Sequence, residues 1–382
     1  MSNKQLAALF LCSLVPWTAG NGLVPLLPIY ATQLGADTAM AGYYLAFSYL
    51  AIALGALSAG WVSDTFRRRK LPLVIGGFIA IPVTWFMGQV DSIWRLTLLT
   101  ASLWFCGGIG LALIGILTGL SAGEQERGRV FGILSLTGGV GAVVGGLGIG
   151  WLVESLGFKV MFAMLATFLL LWPISASLIE EKGVRRAESE NARQQKQAGL
   201  GKSFYLLFFA NILASVAGFF IVLIRSISMN DLGFNSFEIS STGAIGGLIA
   251  LPLPMIMGWF SDRLGRKTFL HAGYLVAMLS IVMLAFSNAL WHFWIVIMLQ
   301  GISMGNAGAI GNAVVTDLLP KESLARGMAL FGSTGWIGGV IGFAVAGWFL
   351  QNLGFTLTFV IGGILAFGAV VLLFPIKLVP QT

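Results

Sequence analysis

Apolar residues run along this chain in long, uniform stretches broken by short polar segments. Twelve such runs are readable, at 5–31, 40–62, 71–90, 93–121, 128–153, 158–179, 203–228, 236–260, 268–288, 291–316, 325–350 and 355–378. A bilayer core about 30 Å thick needs about 20 apolar residues per crossing helix. Each run therefore predicts one membrane-spanning α-helix. Their length and uniform apolarity favour helices over barrel strands. Several connections are so short that neighbours must be antiparallel. The first run extends from near Lys4 through Pro25 and Pro28 to Tyr30, longer than a signal-peptide core, and is expected to be a retained helix.

A short motif punctuates this pattern twice. Its first copy is Gly60-Trp61-Val62-Ser63-Asp64-Thr65-Phe66-Arg67-Arg68-Arg69, after the second run. The second is Gly258-Trp259-Phe260-Ser261-Asp262-Arg263-Leu264-Gly265-Arg266-Lys267, after the eighth. Asp64 and Asp262 are 198 residues apart. Other landmarks recur at nearly the same offset. Leu34-Gly35 matches Leu232-Gly233, Arg127-Gly128 matches Arg326-Gly327, and Trp151 with Leu156-Gly157-Phe158 matches Trp348 with Leu353-Gly354-Phe355. The expected fold is an all-α membrane protein of twelve helices, built as two pseudo-symmetric six-helix bundles. Because each half has six helices, the halves are parallel repeats related by an axis along the membrane normal. The bundles are expected at 1–179 and 203–382. The charged, glutamine-rich segment 180–202 between them reads as a linker, with a partner-binding loop as the alternative.

Composition agrees, at 57% apolar and 10% charged, and excludes an ordinary soluble domain. The charge placement adds orientation. Of 22 lysines and arginines, nineteen fall on the side of the membrane that holds both termini; Arg95, Lys159 and Arg225 do not. Cationic loops resist translocation, so both termini are expected in the cytoplasm. The net charge of +7 is thus a membrane-loop feature, and no nucleic-acid partner is expected. Cys12 and Cys106 both lie in apolar runs and imply no disulfide framework.

The repeated loop motif resembles the Gly-x-x-x-Asp-(Arg)-x-Gly-(Arg)-(Arg/Lys) signature of the major facilitator superfamily. Arg127-Gly128 and Arg326-Gly327, Gln300-Gly301, and Pro25-Leu26-Leu27-Pro28-Ile29-Tyr30 are similar to that family as well, over essentially the whole chain. The last phrase, with Leu34-Gly35 behind it, looks most like the twelve-helix drug and small-molecule efflux branch. The resemblance implies a conformational latch made by Gly60, Asp64, Arg68, Arg69, Gly258, Asp262, Arg263, Arg266 and Lys267. Physically, the two glycines allow close helix approach, and each aspartate sits among cations near helix ends. The first copy departs from the signature, with Thr65 where the family prefers Arg and Arg67 where it prefers Gly. The alternative is that these charges only set topology.

Glycines crowd the fifth and eleventh helices, among them Gly141, Gly145, Gly338 and Gly342. Spacings of three and four put them on shared faces, where helices can approach and slide or simply pack. The efflux branch often carries Gly-Pro in helix five. Here Gly141-Ala142 has no proline, so antiport does not follow.

None of the fifteen acids falls mid-membrane. No cofactor and no metal site is expected, and proton or ion coupling is not legible. Arg225 is the one cation embedded near a helix end. It either snorkels to the interface or faces the solute path, with Asp231 or Glu238 as possible partners. Asn21, Tyr44, Trp104, Asn211, Gln300 and Asn306 complete the cavity candidates; each of them also has a packing reading.

Three function classes compete. An intramembrane enzyme lacks support: His271 and His292 lie near opposite faces, and no phosphate loop, metal cluster or nucleophile turn is present. A non-transporting receptor has no long soluble signalling domain. The expected function is a secondary transporter in a bacterial inner membrane, acting as a monomer in the lipid bilayer. It would move a small, amphipathic or aromatic solute by alternating access, as efflux, with an uptake permease as the alternative.

Overall fold

The computed structural model describes residues 1–66, 68–123, 126–181 and 199–376. The side chains of Asp64, Phe66, Pro254, Gly258, Asp262, Leu264, Lys321, Glu322 and Ala325 lie outside the described set. Among the described residues thirteen helices follow one another: α1 (Asn3–Leu23), α2 (Leu27–Gln33), α3 (Thr38–Phe66), α4 (Lys70–Met87), α5 (Ile93–Ser121), α6 (Arg127–Phe168), α7 (Leu171–Leu178), α8 (Gly201–Asp231), α9 (Ser236–Ala250), α10 (Leu253–Leu264), α11 (Arg266–Ala285), α12 (Leu290–Leu318) and α13 (Lys321–Leu373).

These thirteen helices make the twelve crossings. The first apolar run breaks between α1 and α2, where Pro25 and Pro28 remove amide donors. The eighth is interrupted at Leu251-Pro252, between α9 and α10. Two helical stretches are too long for one crossing. Arg127–Leu178 has 52 residues and Arg326–Leu373 has 48. At 1.5 Å per residue the first would be about 78 Å long, more than twice a bilayer core. Each stretch holds two crossings, separated by a glycine in a conformation that other residues avoid: Gly157 at φ 76°, ψ 168° and Gly354 at φ 72°, ψ 177°. The paired Leu-Gly-Phe landmarks of the sequence are therefore the points where helices five and eleven end.

The chain separates into two compact units, Met1–Gly183 with Ser226–Leu251 and Val184–Arg225 with Pro252–Thr382. The division of the sequence at 180–202 follows the repeat, whereas the compact units follow packing. Residues 226–251 join the first unit because α9 lies along the glycine face of α6. A methyl group at Gly146 would sit 2.7 Å from the Ala244 amide nitrogen, and one at Gly150 would sit 2.6 Å from Ser240 Cβ. The Glu154 carboxylate also accepts from the Ser236 amide at 3.0 Å, at the start of α9.

Gly141 and Gly145 of α6 face α1 instead. A methyl at Gly141 would sit 2.9 Å from the Thr18 amide nitrogen, and one at Gly145 would overlap the Thr18 carbonyl oxygen. The second unit repeats this contact between α13 and α8. A methyl at Gly338 would overlap Ser215 Cβ, and one at Gly342 would sit 2.8 Å from Phe219 Cβ and 2.9 Å from the Val216 carbonyl oxygen. Thr18 and Ser215, Gly141 and Gly338, Gly145 and Gly342 are each 197 residues apart. The internal repeat is thus a repeat of helix contacts as well as of loops. Gly138 and Gly148 meet nothing within 4 Å and belong to neither face.

Candidate functional site

Helix α8 carries three polar features at seven-residue spacing. Seven residues are close to two turns, so Asn211, Gly218 and Arg225 share one face at steps of about 10.5 Å. Asn211 is 6% exposed and fully committed. Its amide nitrogen donates to Thr334 Oγ1 at 2.6 Å, and its oxygen accepts from the Tyr274 hydroxyl at 2.9 Å. The amide therefore pins α8, α11 and α13 together. One step on, the Gly218 carbonyl accepts from Gln300 Nε2 at 2.7 Å, which ties α8 to α12. That bond fixes the amide's orientation and leaves Gln300 Oε1 buried without a donor. The third step is Arg225, enclosed by protein rather than extended along a surface.

Other cavity candidates also bridge helices. Asn306 Nδ2 donates to the Phe269 carbonyl at 2.7 Å and fills the space over Gly273. Asn21 Nδ2 donates to the Gly138 carbonyl at 3.1 Å, joining α1 to α6. The Tyr44 hydroxyl meets Thr100 Oγ1 at 2.8 Å, joining α3 to α5. Trp104 is buried in α5. The structure thus places Asn211 and Arg225 on one face of α8, which Gln300 of α12 meets at Gly218, while Tyr44 of α3 and Trp104 of α5 lie elsewhere.

Tyr274, Thr334, Ser13 and Thr137 escaped sequence reasoning. Ser13 Oγ and Thr137 Oγ1 meet at 2.8 Å between α1 and α6, the counterpart of Asn211 with Thr334 between α8 and α13. The near-constant offset is the signal that could have found the two threonines, since Thr137 and Thr334 are 197 residues apart.

At the basic ends of these units, the loop motif makes two different arrangements. In the first copy, Arg69 Nε donates to Ser63 Oγ at 3.1 Å, and Arg68 is exposed. The Glu181 carboxylate accepts from the amides of Arg69 at 2.7 Å and Lys70 at 3.3 Å. An anion at the start of α4 meets both unpaired amides and the positive helix end. In the second copy, Arg263 lies over the Trp259 ring at 3.7 Å. Lys267 Nζ donates to the carbonyls of Phe374 at 2.8 Å and Ile376 at 2.6 Å. Arg266 pairs with Asp317 at 2.6 Å. Gly60 is exposed and a methyl there would meet nothing within 4 Å, so the close approach expected of it is not found in this conformation. The tight α3–α5 contact lies one to two turns deeper, at Gly55 against the Phe105 carbonyl. The side chains of Asp64, Asp262 and Gly258 lie outside the described residues.

The Arg266–Asp317 pair yields a direct expectation. Asp317 is 9% and Arg266 31% exposed, between a buried and a surface pair. Asp317→Asn should cost roughly 1–2 kcal/mol, between the surface and buried extremes. The exchanged pair, Arg266→Asp with Asp317→Arg, should recover part of it. Thermal unfolding in detergent measures both; a swap no better than the single change would reject a pairwise origin.

Two pseudo-equivalent sets of helix contacts, twelve apolar crossings and a repeated basic loop motif in each half describe an integral membrane transporter. The chain belongs to the Major Facilitator Superfamily, whose family model matches residues 9–224 and 206–381. Curated relatives include the multidrug resistance protein MdtG of Klebsiella pneumoniae (strain 342), 26% identical over 365 residues, covering 91% of this chain and 87% of that protein. MdtG of Enterobacter lignolyticus (strain SCF1) is 26% identical, with 89% and 84% covered. Among solved structures, the fold is similar to a peptide transporter POT in complex with sulfate, at TM-score 0.75, 17% identity, and 97% and 94% coverage. It is also similar to a POT family transporter in complex with 5-aminolevulinic acid, at TM-score 0.76, 15% identity, and 96% and 94% coverage. The chain is a secondary transporter and not an enzyme.

Proposed function

We propose that this transporter expels small amphipathic or aromatic solutes across a bacterial inner membrane, as a monomer with both termini in the cytoplasm. The two six-helix bundles, 1–179 and 203–382, rock about the solute and are joined by 180–202. The observation that carries efflux is the match over 91% of the chain to relatives named as multidrug resistance proteins. The matched glycine contacts of α1 with α6 and α8 with α13 support alternating access, because backbone-to-backbone faces let helices shift with little side-chain rearrangement. Asp64 and Asp262, each in a loop rich in cations, act as latches that favour one state of the cycle.

The test is efflux of ethidium, an aromatic amphipathic cation, of 2-naphthamide, a neutral aromatic solute, and of 2-naphthoate, its anionic counterpart, from proteoliposomes with and without an imposed pH gradient. Transport of at least one above empty liposomes is expected. Asp64→Asn and Asp262→Asn should each lower the rate about tenfold while leaving probe binding to solubilised protein unchanged. Parent-like flux in both variants would reduce the aspartates to topology signals. Uptake without efflux would reverse the direction assigned.

A further inference from the structure

Arg225 lies in the last two turns of α8 and is 2% exposed. Its Nε and Nη1 are buried, and neither meets a hydrogen-bond acceptor among the described residues. A guanidinium carries five donors in a rigid planar fork and stays charged in proteins. Enclosing one in a membrane protein without an anion is costly, so such residues mark ligand or ion paths. The acids named from the sequence do not meet it. Glu238 is committed to the start of α9, where its carboxylate accepts from the Asn235 amide at 2.9 Å in a capping box. Asp231 is exposed at the end of α8. Snorkelling to an interface does not describe the residue either, because a snorkelling head group is exposed.

The contrast along α8 sharpens the assignment. Asn211 has both ends of its amide satisfied, and the Gly218 carbonyl is capped by Gln300. The α8 groups on this face are matched at the first two polar steps and unmatched at the third, and there the unmet groups are cationic donors. We infer that Arg225 binds an anionic group of the transported solute, a carboxylate, sulfonate or phosphonate, as a bidentate acceptor. This rests on the transport reading above and narrows its substrate class to amphipathic anions. Removing the charge relieves an unpaired buried cation, so the ligand-free protein should not suffer from its loss.

The probes are 2-naphthoate and its neutral counterpart 2-naphthamide, which share the ring and differ in charge. Binding is measured by calorimetry on the full chain in nanodiscs of zwitterionic lipid, beside flux in proteoliposomes. The parent should bind the acid at least about tenfold tighter than the amide. Arg225→Gln should erase that preference by weakening the acid alone, and Arg225→Lys should fall between, keeping charge but losing the fork. Without ligand, Arg225→Gln and Arg225→Met should melt no lower than the parent. A parent indifferent to charge overturns the proposal, as does a glutamine variant that keeps the preference. So do variants that melt far below the parent without ligand, because Arg225 is then a structural residue. Selective binding without flux would retain Arg225 as an anion site and remove the transport reading. Flux with no charge preference would do the reverse.

Discussion

Replacing Gly145 by valine is expected to cost at least about 3 kcal/mol and to leave little folded protein in the membrane. Core overpacking ordinarily costs about 1–3 kcal/mol, because neighbouring side chains give way. At Gly145 the obstructing atom is the Thr18 carbonyl oxygen, part of the α1 backbone, and Gly22 lies beside it with its amide nitrogen 3.0 Å from the added carbon. Neither can rotate aside, so α1 and α6 must separate along their length. The counterpart, Gly342→Val, should cost somewhat less, about 2–3 kcal/mol, because the overlap is smaller: Phe219 Cβ at 2.8 Å and the Val216 carbonyl oxygen at 2.9 Å are both held by the α8 backbone but stand further from the added carbon. Gly138→Ala and Gly148→Ala, where space is open, should be neutral or slightly stabilising, as alanine limits the unfolded chain. Thermal unfolding followed by size-exclusion chromatography orders the four. Equal damage from all would mean that glycine acts here through helix propensity alone.

The second large effect is expected at Asn211. Asn211→Leu removes the acceptor of the buried Tyr274 hydroxyl, stranding a donor at 0% exposure. Leaving a buried polar group unmatched costs about 1–3 kcal/mol. Thr334 is less affected, because its hydroxyl still donates to the Phe331 carbonyl. The double variant Asn211→Leu with Tyr274→Phe removes both partners and should recover most of the loss. The coupling between the two, measured as a double-mutant cycle on unfolding midpoints, is expected to be near the size of the single penalty. Strict additivity would show that the two side chains do not share a bond. Tyr274→Phe alone should be milder than Asn211→Leu, since Asn211 keeps its bond to Thr334 and only an acceptor is stranded.

Both experiments turn on residues of different legibility. Gly145 and Gly342 were readable as packing glycines from spacing alone. Which neighbour each one meets was not. Spacing of three and four defines a face, but α6 has two glycine faces, one toward α1 and one toward α9. Asn211 was readable as a polar residue in an apolar helix, which marks either a solute contact or a helix pin. Only its neighbours decide, and Tyr274 and Thr334 are 63 and 123 residues away.

Membrane helices are legible because the bilayer allows little else. Backbone groups in hydrocarbon must bond within their own segment, so twenty apolar residues become a helix whatever packs beside them. The same constraint made the family signature and the repeat visible, since loop motifs and turn glycines act locally. Leu-Gly-Phe at 156–158 and 353–355 ends a helix by its own backbone conformation. Partnership is not local. Arg266 could be placed among loop cations from the sequence, but its pairing with Asp317 across 51 residues could not. The chemistry of Arg225 was equally undecided in one dimension, because a cation near a helix end snorkels or turns inward according to what surrounds it. By itself the sequence determined the number of crossings, the repeat and the family. The tertiary structure alone decided which glycines touch backbone, which amides are spent on holding helices, and that the Arg225 side chain is buried with unmatched donors, because each depends on atoms brought together from distant parts of the chain.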